Sequence, residues 1–195
     1  MGKGRPREFD VDQALDKALH VFWKRGYEGA SLPELTEAMG INRPSLYAAF
    51  GNKESLFRQA LDRYVALHAD RMQAALAMPT SREVVAALLY ASADAPTCPG
   101  QPRGCLIVQG ALACGEETEP IRQAINAQRA ASEAAVRKRL ARAKREGDLP
   151  QDASPADLAR FVATVQFGLA VHAASGASRA ALHRVVEVAL QAWPG

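Results

Sequence analysis

Ser31, Gly40, Asn42 and Gly51 divide a short stretch of this chain into two brief helical segments with almost no chain between them. Ser31 is a favoured N-cap, and Glu34 three residues later completes the S-x-x-E capping box, in which each side chain satisfies the other's free backbone N–H. The segment it starts, Leu32 to Met39, is closed by Gly40. Asn42 caps the next, and Pro44 sits in its first turn, where a missing N–H costs little. Only Gly40, Ile41 and Asn42 separate the two segments, a spacing that suits a helix-turn-helix. Ahead of them, Ala14, Leu15, Ala18, Val21 and Phe22 share one face of a helix that Asp10 or Asp12 can cap and Gly26 ends.

The remaining periodicity is also helical. A long fourth helix runs from about Lys53 to Ala77 and stops at Pro79. Thr80 or Ser81 starts another that reaches about Ala93. Residues 94 to 103 hold Pro96, Pro99, Pro102 and Gly100 and read as a loop. The apolar stretch 104 to 115 fits a strand at Cys105 to Val108 or a short buried helix, and the flanking helices favour the helix. A long helix spans about Glu119 to Glu146, followed by a loop from Gly147 to Ser154. The pair 155–174 and 178–193 ends the chain. Leu158, Phe161, Val162, Val165 and Leu169 form one apolar stripe. Leu182, Val185, Val186, Ala189, Leu190 and Trp193 form another, broad enough to pack together and to meet a partner chain. Frequent alanine and few aromatics, 6% of residues, agree with an all-α fold. The expected division is a helix-turn-helix domain over residues 1–52 and a larger helical domain over residues 53–195.

Charge alone says little about partners. The 24 Lys and Arg against 21 Asp and Glu leave +3, too small to argue for nucleic acid, and basic and acidic residues balance through Glu54. An argument for DNA rests on where charges sit. Cys98, Cys105 and Cys114 form no CxxC, and no apolar core follows the basic N-terminus to make a signal peptide. A reducing cytoplasm is the simplest setting. The longest apolar runs fall far short of a membrane span. No nucleophile elbow, Walker loop or dinucleotide fingerprint is present, and His20, His68, His172 and His183 have no metal-ligand spacing. The sequence therefore predicts no enzyme, cofactor or metal.

From Gly26 through Ile41, and most closely over Ser45-Leu46-Tyr47-Ala48-Ala49-Phe50-Gly51-Asn52-Lys53-Glu54-Ser55-Leu56, the chain resembles the TetR family of bacterial repressors. The run L-Y-x-x-F-x-x-K-E-x-L behind a helix-turn-helix carries the resemblance, which covers about residues 9 to 57. It implies that the third helix, about Arg43 to Phe50, enters the major groove of an operator. It also implies that Tyr47, Lys53 and Ser31 contact phosphates. Arg43 and Ser45 are the expected base readers, since arginine reads guanine through two hydrogen bonds. Pro44 departs from the small residue common there. Ala48 and Ala49 remove side chains that could reach DNA, which leaves a helical interaction module with a decayed reading head as a further reading. Leu35, Met39, Leu46 and Phe50 belong to the core, and Tyr47 could do so too. Lys3, Arg5 and Arg7 form either a solvated tail or a minor-groove arm.

The family further implies a homodimer through the helices at 155–174 and 178–193. It also implies a small-molecule effector bound among helices between about residues 81 and 172. Tyr90, Cys105, Gln109, Gln166 and His172 are the expected polar lining, with His172 alternatively a core histidine. The GCL segment at Gly104-Cys105-Leu106 resembles one in TetR-like regulators, some of which answer oxidants or electrophiles through cysteine. A redox or electrophile switch at Cys105, with Cys98 as a partner, is therefore the alternative to a reversible ligand. The basic run Arg137 to Arg145 ends a long helix, where cations complement the macrodipole, and that account is preferred to DNA contact.

Overall fold

The computed structural model describes residues 9–98, 100–112 and 118–194. Its elements are α1 (Val11–Gly29), α2 (Leu32–Met39), α3 (Arg43–Phe50), α4 (Lys53–Leu76), α5 (Ser81–Asp94), α6 (Leu106–Leu112), α7 (Glu119–Arg145), α8 (Pro155–Ala174) and α9 (Arg179–Gln191). A single 3-10 turn, Ala95–Thr97, lies inside the proline-rich loop. No strand occurs among the described residues, so the stretch at Cys105 is the short helix rather than the strand.

Local chemistry sets most helix starts. Asp10 Oδ1 accepts from the backbone N–H of Asp12 and Gln13 at the head of α1. Asn42, Asn52, Ser154 and Ser178 do the same for α3, α4, α8 and α9. Two expectations need correction. Gly26 does not end α1: it takes φ 71°, ψ −179°, and the helix resumes across this kink to Gly29. The capping box at Ser31 is half made. Ser31 Oγ accepts from the Glu34 N–H at 3.2 Å, but the Glu34 carboxylate turns away to Arg25, 3.1 Å distant. The reciprocal box forms instead at Thr80 and Glu83.

Two hydrophobic clusters hold the chain. The first joins α1, α2 and α3 to the first half of α4 through Phe22, Trp23, Leu35, Met39, Leu46, Phe50, Phe57 and Tyr64. Leu106 of α6 and Ile121 and Ile125 of α7 complete it. The second joins the end of α4 to α5, α7, α8 and α9. Packing thus changes over within α4, between Tyr64 and Ala75, rather than at its start. Polar contacts reinforce the joint: Trp23 Nε1–H donates to the Gly104 carbonyl at 3.1 Å, and Arg58 to that of Pro120 at 3.1 Å.

Within the basic run on α7, one arginine is spent inside the protein while Arg137, Lys138, Arg142 and Arg145 stay exposed. Arg139, buried, donates from Nε to the Leu76 carbonyl and from Nη2 to those of Met78 and Pro79. It thereby satisfies carbonyls that the end of α4 leaves free. Arg142 pairs with Glu146, and Lys144 donates to the Ala153 carbonyl. No helix among the described residues is long and apolar enough to cross a membrane.

Candidate nucleic-acid interface and effector cavity

The turn between α2 and α3 is fixed by backbone geometry. Gly40 takes φ 71°, ψ 32°, a left-handed conformation that glycine adopts without strain. Its N–H donates to the Glu37 carbonyl, and that of Ile41 to Thr36, so the chain reverses within three residues. Asn42 Oδ1 then accepts from the Ser45 N–H at 2.9 Å and starts α3. Leu46 and Phe50 face inward and are fully buried, while Leu35 and Met39 of α2 lie in the same core. One face of α3 is therefore anchored and the other is offered to solvent.

That outer face carries the residues expected to meet DNA. Arg43 and Pro44 are exposed, and Ser45 is partly so. Tyr47 is 48% exposed, which rules out a core role. Arg43 forms no ion pair with a described residue. Ser31 lies exposed at the start of α2. Lys53 lies over the Tyr27 ring, 4.5 Å from its centroid. Burial pushes its ammonium below the ordinary lysine range, and the nearby Glu28 carboxylate opposes that. Lys3, Arg5, Arg7 and Cys114 lie outside the described residues.

A cavity of about 210 Å³ opens between the two clusters. Trp23 of α1 and Tyr64, His68 and Arg71 of α4 form one side; Gly104, Cys105 and Ile107 lie beside them, with Arg129 and Phe167 across. Cys105 and Gln166 lie in its wall. The Tyr64 hydroxyl donates to Cys105 Sγ at 3.3 Å, and burial, with the Cys105 sulfur beside it, pushes the Tyr64 phenol well above its ordinary range. Gln166 Nε2 donates to Ser92 Oγ at 2.9 Å.

Three of the expected lining residues lie elsewhere. Tyr90 packs edge-on against His183, 5.0 Å between ring centres, where α5 meets α9. Gln109 is folded against the Gly104 turn and donates to the Arg103 carbonyl; a Cβ at Gly104, whose φ is +90°, would meet its amide at 2.5 Å. His172 is exposed on α8, neither core nor cavity. Sequence reasoning missed Trp23, Tyr64, His68 and Arg129. Trp23 lies on α1, Tyr64 and His68 on α4 and Arg129 on α7, and only long-range packing brings them together. Cys98 is exposed. Among the described residues no cluster of His, Cys, Asp or Glu could hold a metal ion.

A tight two-helix turn with one recognition helix anchored on its inner face and open to solvent on its outer face, set on a larger helical body with a cavity, defines a helix-turn-helix transcription regulator. Residues 14–60 match the description "Bacterial regulatory proteins, tetR family", and residues 79–189 match "Tetracyclin repressor-like, C-terminal domain". The chain belongs to the TetR family of bacterial regulators. It is 34% identical over 195 residues to the HTH-type transcriptional repressor ComR of Escherichia coli, spanning 98% of this chain and 92% of that protein. A cysteine mutant of the TetR family regulator CifR, solved with 26 bp of double-strand operator DNA, is 50% identical with a TM-score of 0.94 over 97% of this chain and 100% of that one. A TetR regulator from Rhodococcus sp. RHA1 is 41% identical with a TM-score of 0.64, over 93% and 97% of the two chains.

Proposed function

We infer that this regulator represses transcription from a palindromic operator and releases it when a small molecule enters the cavity beside Trp23 and Cys105. The observation that carries this reading is that one cavity wall is built from the reading head itself, through Trp23 and Tyr64. An occupant there touches α1 and α4 directly. It also lies against Gly104 and Cys105, just ahead of α6, whose Leu106 belongs to the reading head's core.

At the operator, Arg43 and Ser45 read base edges, and Pro44 offers an apolar surface of the kind that meets a thymine methyl. Tyr47, Lys53 and the N–H groups at Ser31 hold phosphates. Two copies must place their α3 helices about 34–36 Å apart to enter successive major grooves. The second copy docks on α8 and α9: of the seven large exposed apolar residues among those described, Phe161, Val171, Val185 and Val188 lie there. An effector that binds better to a different spacing shifts the population away from DNA. The setting is the cytoplasm, and the protein performs no catalysis. Titrating DNA from upstream of the chain's own gene at two salt concentrations tests this reading. Binding that weakens steeply with salt supports it; no binding to any promoter-region DNA contradicts it.

A second reading has its own observation. Cys105 is the one described thiol in the cavity, and a thiolate formed there faces the Tyr64 hydroxyl and the Arg129 guanidinium. An electrophilic effector would be captured covalently: a C–S bond forms, the thiol proton passes to solvent, and the displaced group keeps the electron pair. Cys105→Ser discriminates, because release by an alkylating agent that persists unchanged in that variant removes this reading and leaves the first.

A further inference from the structure

The cavity walls are mostly apolar, yet their charge is one-sided. Arg129 of α7 is half-buried and stacks on Phe167, with Cζ 5.2 Å from the ring centre. Its Nε and Nη2 hold the carbonyls of Ile107 and Val108 at 2.7–3.1 Å, while Nη1 donates to no described residue. Arg71 of α4 adds a second, exposed cation at the rim. No Asp or Glu is among the described residues lining the cavity, and neither arginine pairs with a described carboxylate. Burial pushes the Arg129 guanidinium below its ordinary range, with only the Cys105 sulfur opposing. A cation partly withdrawn from water without a counter-charge is held at a cost that an anion in the same space removes.

We propose that the effector is a small organic carboxylate, its anionic end on Arg129 and its apolar body against Trp23, Met72, Leu88 and Phe167. This rests on the reading of the cavity as the effector site. The volume sets the size of that body: an engineered cavity of about 150 Å³ accepts benzene, so about 210 Å³ takes one ring or a short acyl chain beside the carboxylate. The placement also gives the anion leverage. Arg129 braces the first turn of α6 through two carbonyls, and Leu106, the first residue of α6, is packed in the reading head's core. A carboxylate that draws the guanidinium toward itself loosens that brace.

The test uses the full-length protein and two matched pairs of probes, phenylacetate with phenylacetamide and hexanoate with hexanamide. Binding is followed by tryptophan fluorescence and thermal melting, and operator occupancy by anisotropy in the same samples. Each acid is expected to bind at least about tenfold tighter than its amide, a preference worth about 1.4 kcal/mol. Arg129→Gln, with its helical circular dichroism unchanged, is expected to bring each pair to parity, and Arg129→Lys to keep part of the preference. Amides that bind as well as the acids, or a preference that survives in Arg129→Gln, would overturn the proposal; so would failure of every probe to bind. If Arg129→Gln does not fold, the wild-type comparison of acid with amide decides alone. Amides that bind and release DNA would remove the anion and keep the release reading. Acids that bind through Arg129 while the operator stays occupied would keep the anion site and remove the release reading.

Discussion

The two hydrophobic cores of this chain are built from different materials. The core under the recognition helix is an aromatic interlock: Phe22 meets Phe57 edge-on at 5.1 Å, Trp23 meets Tyr64 at 4.9 Å, and Tyr27 meets Phe57 at 5.2 Å. The core of the larger domain is mostly aliphatic and small, with Val84, Val85, Leu88, Leu89, Ala93, Ala143, Ala159 and Ala173 between long helices. Interlocked rings have few alternative packings, so they fix α1 against α4, and Leu46 and Phe50 seat α3 on the same core. Helices faced with alanine and valine present smoother surfaces that slide over one another more readily. The chain thus joins an aromatic-cored reader to an aliphatic-cored body, and α6, the start of α7 and the cavity lie at the joint.

The largest test of this contrast truncates one residue in each core. Phe57→Ala is expected to cost about 3–5 kcal/mol and Leu89→Ala about 2–5 kcal/mol of unfolding stability. Operator affinity per folded molecule should fall only for Phe57→Ala. An equal fall in affinity from Leu89→Ala, measured by denaturant melts alongside DNA titration, would break the comparison. Next in size is the joint. Trp23→Phe leaves the buried Gly104 carbonyl without its donor, at about 1–3 kcal/mol, and effector response should fall more than DNA affinity does.

Smaller still is the cap of the recognition helix. Asn42→Ala should destabilise by about 1 kcal/mol in a thermal melt, whereas Asn42→Asp should restore most of it. The smallest effect is a pH slope. Burial, helped by Arg71, holds the His68 imidazole below its ordinary value of 6.5. The unfolded chain therefore takes up the proton first, and this contribution to stability is present above that value and lost as pH falls through it. His68→Gln should flatten the slope of melting temperature between neutral and mildly acidic pH. An unchanged slope would show that other groups set it.

The same contrast explains what the sequence disclosed. The reading head follows local rules: Ser31, Gly40 and Asn42 act on neighbours a few residues away, so its helices were legible, while Tyr47 stayed open between core and surface until its exposure was seen. The helices of the larger domain were legible too, since Thr80, Ser154, Pro155 and Ser178 mark their starts. The cavity was only half legible. Cys105 and Gln166 were expected there, but Trp23 lay in the separate domain of residues 1–52, and nothing in the local sequence singled out Tyr64, His68 or Arg129 on their long helices. Their meeting depends on Leu106, Ile121 and Ile125 joining the first core, a pairing across long sequence separations that periodicity does not encode. Gly26 misled for a related reason: its left-handed φ bends α1 instead of ending it, and residues beyond it resume the helix.

The central claim is that the outer face of α3 and the start of α4 hold DNA through Tyr47 and Lys53 as well as through base contacts. The most direct measurement is an anisotropy titration of upstream DNA by wild type and by Tyr47→Ala and Lys53→Ala, each across a range of salt. The account predicts a steep salt dependence for wild type and weaker binding by each variant at unchanged melting temperature. It also predicts a salt slope reduced by about 1 for Lys53→Ala, which removes a cation, and unchanged for Tyr47→Ala, which removes a neutral hydrogen-bond donor. Variants that bind as tightly as wild type, or a Lys53→Ala variant with the wild-type salt slope, would contradict it.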